Sequence, residues 1–255
     1  MEIDHLSASS VNIYLRCPAQ YFWRYCEGLI VPPSGAMTRG NAFHTGTYKN
    51  YDQKVASHED LPVDDVLDIF STEYDIRAHD TLWQDGEDKG EVKDSGVAVL
   101  REYQTVVAPT IQPVCAEREF ALELENKSWK FTGIIDVVTD GGVVVENKTT
   151  GKGLKTPRHD HLIQTTGYSI GSRSESGVAA QAELIYAVAK KKPEVLRFPV
   201  DINTAMILYF LNLIAVVANG IEKEVWLPNR GHFLCSRKWC GYADRCVAKY
   251  GGTVD

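Results

Sequence analysis

Asp136, Glu146 and Lys148 are of the types, and at the spacing, that hold a divalent metal beside a phosphodiester. They lie in Gly133-Ile134-Ile135-Asp136 and Val143-Val144-Val145-Glu146-Asn147-Lys148. Strand side chains alternate faces, so Glu146 and Lys148 share one side of their strand. Asp136 joins them if the connecting loop has an odd number of residues, and Asp140-Gly141-Gly142 supplies a three-residue loop with Gly for the left-handed position. That register pairs Thr139 with Val143, and Asp136 with Glu146. The same residues would also make a solvated charged face. Flanking Ile134, Ile135 and the three valines instead put the charges at the end of buried strands, where unpaired charge is costly and a metal compensates it. Mg²⁺ takes one or two carboxylates plus water and phosphate oxygens. The chemistry predicted is metal-assisted hydrolysis, with Lys148 orienting or deprotonating the attacking water.

Gln164 and Tyr168 stand four residues apart on the next predicted helix and so share a face. In Arg39-Gly40-Asn41-Ala42-Phe43-His44, the imidazole of His44 could complete a metal shell or serve a structural role. Cys235, Cys240 and Cys246 fall within twelve residues, and Cys17 precedes Pro18 near the other terminus. Four thiolates suit a tetrahedral zinc or an iron–sulfur cluster, and either would staple the two ends of the chain together. Cys26 and Cys115 read as ordinary buried thiols. Lys148, Lys152, Lys155, Arg158, His159 and His161 follow the hairpin, while Arg230, Arg237, Lys238, Arg245 and Lys249 surround the C-terminal cysteines. Trp239 and Tyr242, interleaved with the second cluster, could stack on unpaired bases.

These residues need a scaffold, and 255 residues suffice for one large α/β domain. The net charge of -7 is concentrated: residues 57 to 94 hold thirteen acidic and three basic side chains, which leaves the rest of the chain at +3. A local basic track remains adequate for nucleic acid. Helical spacing predicts a first helix from Ser7 to Tyr25, broken near Cys17-Pro18, a second over 38–51, and further ones over 63–78 and 96–107. Alternation predicts strands over 114–123, 128–139, 143–148, 183–189 and 194–200, with helices over 159–172 and 202–221. The N-terminal residues show no basic segment leading into an apolar run, and the apolar stretch 205–218 reads as too short for a bilayer, so a cytoplasmic location without membrane contact is expected.

In order as well as type, these motifs resemble the RecB-like branch of the PD-(D/E)XK nucleases, especially its four-cysteine exonucleases of CRISPR systems, helicase–nucleases and phages. Leu6 to Phe22 resembles the opening helix with its first cluster cysteine. Gly40 to His44 resembles the histidine motif, Gly133 to Asp136 the aspartate motif, and Glu146-Asn147-Lys148 the Glu-x-Lys. Gln164 and Tyr168 match Gln-x-x-x-Tyr, and Cys235, Cys240 and Cys246 the cysteine triplet. Ile135 stands where other branches have proline, and the first gap of the triplet is four residues rather than the usual two.

The resemblance implies an α/β PD-(D/E)XK core in one domain over 1–255: a mixed central β-sheet flanked by helices, an acidic helical insertion over 57–110, and a cysteine segment over 230–250 pairing with Cys17. It implies Mg²⁺ or Mn²⁺ on His44, Asp136, Glu146 and the Asn147 carbonyl. Asp136, Glu146 and Lys148 would be catalytic, with Gln164 and Tyr168 contacting DNA or supporting the site. A [4Fe–4S] cluster, with zinc as the alternative, would sit on Cys17, Cys235, Cys240 and Cys246. The expected activity is that of a DNA exonuclease acting on single strands or ends. A structure-selective endonuclease and a zinc-stapled DNA-binding accessory module are the rivals, and the acidic lobe is a candidate surface for a protein partner.

Overall fold

The computed structural model describes residues 2–176 and 181–254, without the side chains of 175 and 176. It divides into two compact units, Met1–Val31 with Ala121–Gly133 and Thr204–Asp255, and Pro32–Phe120 with Ile134–Asn203.

In the first unit, β1 (His5–Ser7) runs into α1 (Ala8–Arg16), where Ser7 and Ser10 form a reciprocal capping box. The helix stops at Cys17, whose backbone is extended, and Pro18 restarts it as α2 (Pro18–Tyr21) because its missing N–H costs nothing at a first helical position. A π-helical turn follows over Phe22–Cys26. The remaining helices are α7 (Thr204–Glu222) and α8 (Ala243–Tyr250). The apolar run expected to be too short for a membrane lies in a helix of 19 residues with a mean hydropathy of 1.9, so length and composition do not exclude it. Phe210, Ile214, Val217, Ala218 and Ile221 nevertheless face inward, with Phe210 edge-on to Phe131.

The second unit carries α3 (Gly35–Ser57), α4 (Val63–Ala78), α5 (Lys89–Val106), the greater part of β2 (Pro113–Glu123) and β3 (Lys130–Thr139), then β4 (Val144–Thr150), α6 (His159–Ser176), β5 (Ala182–Val188) and β6 (Glu194–Val200). The architecture is a mixed sheet flanked by helices. Strand β3 pairs antiparallel with β4, β4 parallel with β5 through the α6 crossover, and β5 antiparallel with β6. The hairpin has the expected register, with Val137 opposite Val145 and Val138 opposite Val144. Gly142 takes the left-handed position at φ 74°.

Residues 57–110 supply α4 and α5, whose Phe70, Tyr74, Leu100 and Tyr103 share one buried cluster with Phe43, Tyr51, Val137, Val145 and Ile185. One face of the sheet and the three helices thus bury a common apolar surface. Ile134, expected to be buried beside Asp136, is 44% exposed, and only Ile135 turns inward.

On α6, a Cβ at Gly171 would stand 2.2 Å from the ring of Phe120 in β2. That approach fixes how closely α6 lies on the sheet. Gly171→Ala should cost about 1–3 kcal/mol through overpacking. Chemical denaturation would read it, and an unchanged midpoint would contradict the close packing of α6.

Candidate metal centre

The side chains of the centre are aimed by several elements of the second unit: β3, β4, α3 and α6. Asp136 and Glu146 face each other across the hairpin, which the register of the valines dictates. Glu146 lies within a run of four buried residues on β4 and is only 1% exposed. Lys148, two residues along the same face, donates to Glu146 Oε1. From α6, Gln164 Nε2 donates to the same oxygen at 2.6 Å. Among the described residues Glu146 Oε2 is buried without a partner, an orphaned acceptor of the kind a cation would satisfy.

Asp136 is engaged from two sides. Its Oδ2 accepts the Asn147 backbone N–H at 2.7 Å, and its Oδ1 lies 3.5 Å from Nδ1 of His44 on α3. Asn147 is anchored in turn by a buried chain of hydroxyls: Tyr103 donates to Asn147 Oδ1 at 2.8 Å, and Tyr51 and Tyr103 share a hydrogen bond of 2.8 Å. Tyr168 is buried edge-on against Phe120, so it supports α6 and the sheet.

The electrostatics follow from this crowding. Burial pushes Glu146 up to about 7, Asp136 adds to the rise, and Lys148 opposes it. Burial also acts on Asp136, but the neighbouring His44 and Lys148 outweigh it and hold the carboxyl below its ordinary value. For His44, burial works downward and the attraction of Asp136 overcomes it, so the imidazole titrates above its usual range. Lys148 is likewise raised, because Glu146 and Asp136 outweigh its burial. It therefore holds its proton.

Sequence reasoning missed Glu117. His44, Glu117 and Asp136 each offer a ligand atom within 4.8 Å of the others, and among the described residues they are the set of three that does so. Along β2 the buried positions are Pro113, then Phe120 and Leu122, so the alternation changes phase between them. Glu117 sits at that change with φ 48°, a left-handed conformation rare for a non-glycine strand residue. A bulge re-aims a side chain in this way. No residue type marks such a bulge in advance.

The first unit brings other predicted residues together. Cys17, Cys235, Cys240 and Cys246 line one cavity, with Gln20 Nε2 donating to Cys240 Sγ at 3.4 Å and the Asn229 N–H to Cys17 Sγ at 3.3 Å. Among the described residues no disulfide joins any of the six cysteines, and Cys26 and Cys115 are half-buried rather than buried. The basic track is thinner than the sequence suggests. Arg158 forks onto Asp160, Arg237 pairs with Asp244, and Arg230 is spent on the carbonyls of Gly251 and Thr253. Burial and Lys148 push His161 down to about 4, so it carries no charge at neutral pH. Tyr242 is buried and donates to the Leu29 carbonyl, which removes it as a base-stacking surface, whereas Trp239 is 53% exposed.

The sequence matches the family model of the PD-(D/E)XK nuclease superfamily over residues 5–247, and the chain belongs to that superfamily. It is similar in structure to a candidate exonuclease from Eubacterium rectale, with a TM-score of 0.56 and 14% identity over 87% of this chain and 80% of that one. At that identity the likeness speaks to fold alone. A second solved structure, that of the protein SSO0001, matches at 17% identity over 98% of this chain and 88% of that one, and its TM-score of 0.46 carries no argument. Among curated proteins, none matches the sequence significantly.

A cation held on Glu146 would need the carboxyl ionised, so its binding below pH 7 would displace a proton. The expected affinity for Mn²⁺ falls about tenfold per pH unit below about 7. Without metal, the raised value means that the stability contributed by the neutral form is fully present at and below the ordinary carboxylate range, declines as pH rises above it, and is lost as pH passes through about 7. Thermal melts with and without Mn²⁺ should show a larger metal-induced rise at pH 8 than at pH 6. An increment independent of pH would remove Glu146 from the ligand set. Tyr103→Phe should weaken Mn²⁺ binding by about 10-fold by releasing Asn147, and calorimetry showing unchanged affinity would contradict that anchoring.

Proposed function

We propose that this protein is a Mg²⁺- or Mn²⁺-dependent DNA exonuclease acting on single strands or ends. The observation that carries the reading is the buried, half-satisfied Glu146, set opposite Asp136 and held by Lys148 and Gln164. The donor set of carboxylates and one imidazole suits a hard divalent cation. Asp136, Glu146, His44 and the Asn147 carbonyl would hold it, and the bound ion would offset phosphate charge and acidify water.

The protein's own groups supply the remainder. Lys148, which keeps its proton, orients the nucleophilic water and offsets the negative charge of the scissile phosphate. Gln164 fixes the Glu146 carboxylate in one orientation, leaving Oε2 free. Tyr168 holds α6 against β2. Hydrolysis is then direct attack of water on phosphorus, which breaks the bond to one ester oxygen; that oxygen leaves as a free hydroxyl of the nucleic acid and the water's proton passes to solvent, with no covalent intermediate on the protein.

In the first unit, the four cysteines around one cavity support a structural [4Fe–4S] cluster that ties the two ends of the chain. The donors on Cys17 and Cys240 are of the kind that stabilise thiolate ligands.

Glu146→Ala should lower Mn²⁺-dependent degradation of end-labelled single-stranded DNA by more than about 100-fold while leaving the fold intact; retained activity would defeat the assignment. Circular DNA should resist, and its cleavage would identify an endonuclease instead. Anaerobically purified protein should be brown and should lose its colour and its iron with Cys246→Ser, whereas a colourless protein containing zinc would overturn the cluster.

A further inference from the structure

We infer that the first unit holds unpaired DNA bases on the exposed rings of Tyr25 and Trp239, with Arg24 and Lys238 meeting the neighbouring phosphates. The inference rests on the proposed nuclease function and adds to it a metal-independent binding site for the strand. Large aromatic rings are mostly buried, because they carry so much apolar surface. Tyr25 is 41% exposed and Trp239 53%, and each has a cation over its ring: Arg24 Cζ lies 5.7 Å from the Tyr25 centroid, and Lys238 Nζ 4.9 Å from that of Trp239. Held only by the weak attraction of an exposed cation–π pair, either cation can turn to a phosphate. The two pairs thus have one composition, an aromatic face for a base and a charge for its backbone.

Packing brings the two pairs onto neighbouring segments of the unit. Arg24 and Tyr25 lie in the π-helical turn Phe22–Cys26, a conformation found frequently at functional sites. Tyr21 is buried and packs against both Tyr25 and Trp226, at ring-centroid distances of 4.8 and 5.8 Å, so Tyr25 carries an aromatic cluster out to the surface. Trp23, from the same turn, is buried with Cys240 and Tyr242. Tyr242 donates to the Leu29 carbonyl at 2.8 Å, and a Cβ on Gly241 would stand 2.7 Å from the side chain of Val31. Residues 22–31 therefore lie along 240–242, and Trp239 is the residue that leads into this contact. Ile30, also exposed, extends the apolar surface.

Charge selects the occupant. Over 22–31 and 228–250 six basic residues stand against two acidic ones, Glu27 and Asp244, a local balance of +4 on a chain of net charge -7. Exposed aromatic rings alone would equally suit a protein partner. Set among cations, they suit a polyanion that also offers flat apolar faces, and unpaired DNA is such a polymer. In a duplex the base faces are stacked on one another inside the helix, so the rings favour the single strand. Stacking is also tolerant of sequence, since every base has a π face, which is what a nuclease working along a strand requires.

Fluorescence anisotropy of the full-length protein with a labelled thymidine oligonucleotide, in EDTA to halt hydrolysis, tests the inference apart from catalysis. Trp239→Ala and Tyr25→Ala should each weaken binding by about 10-fold, and Trp239→Phe should keep most of the affinity. A chain of the same length built of abasic nucleotides carries the phosphates without the bases, so the wild type and Trp239→Ala should bind it equally. Lys238→Ala should weaken binding of both chains. Oligonucleotide binding unchanged by the loss of either ring would overturn the site and leave the patch to a protein partner, and a loss as large on the abasic chain would overturn stacking; either result leaves the proposed nuclease standing. Protein that binds no DNA in EDTA yet degrades it with Mn²⁺ would also overturn the site alone. Protein that neither binds nor degrades DNA would overturn both.

Discussion

Burying a carboxylate without fully satisfying it is expensive, and Glu146 is buried to 1% exposure with one oxygen unpartnered. Much of the second unit is arranged around that charge. Lys148 reaches it along β4, Gln164 reaches it from α6, and the hairpin sets Asp136 opposite. Because burial and Asp136 both raise the cost of ionising Glu146, the two carboxylates are in tension.

The helices hold that arrangement from the other side of the sheet. Phe43 on α3 and Tyr103 on α5 meet edge-on in the core, and from this region His44 turns toward Asp136 while Tyr103 reaches Asn147. Packing and chemistry are thus connected through a few atoms. A shift of α5 would loosen Asn147, and with it the backbone N–H that orients Asp136. The acidic segment earns its place through this contact, since its helices share the buried cluster of the sheet.

The left-handed Glu117 illustrates how a strand can serve two masters. Before it, β2 turns one set of side chains inward; after it, Phe120 and Leu122 take the inward places, and Phe120 meets Tyr168 and Gly171 on α6. A regular strand could not supply both that packing and a carboxylate within reach of Asp136 and His44.

Alternation and one odd loop were enough, by themselves, to determine that Asp136 faces Glu146 and that Lys148 lies beside it, because strand periodicity is a local rule. Helix positions were legible from spacing for the same reason, as over Val63–Ala78, although α3 starts at Gly35 and α5 at Lys89, ahead of the expected 38 and 96. Amphipathic spacing says that a helix has a buried face but not what buries it, so the union of α4 and α5 with the sheet core was not readable. Nor was the fate of charges: Arg158, Arg237 and His161 read as a basic track until their partners and burial were known. Cysteine spacing suggested a shared site, while only the fold could set Cys17 around the same cavity as residues more than two hundred positions away. Glu117 belonged wholly to the tertiary structure, since its direction depends on a backbone conformation that the packing of β2 imposes and that no neighbouring residue announces.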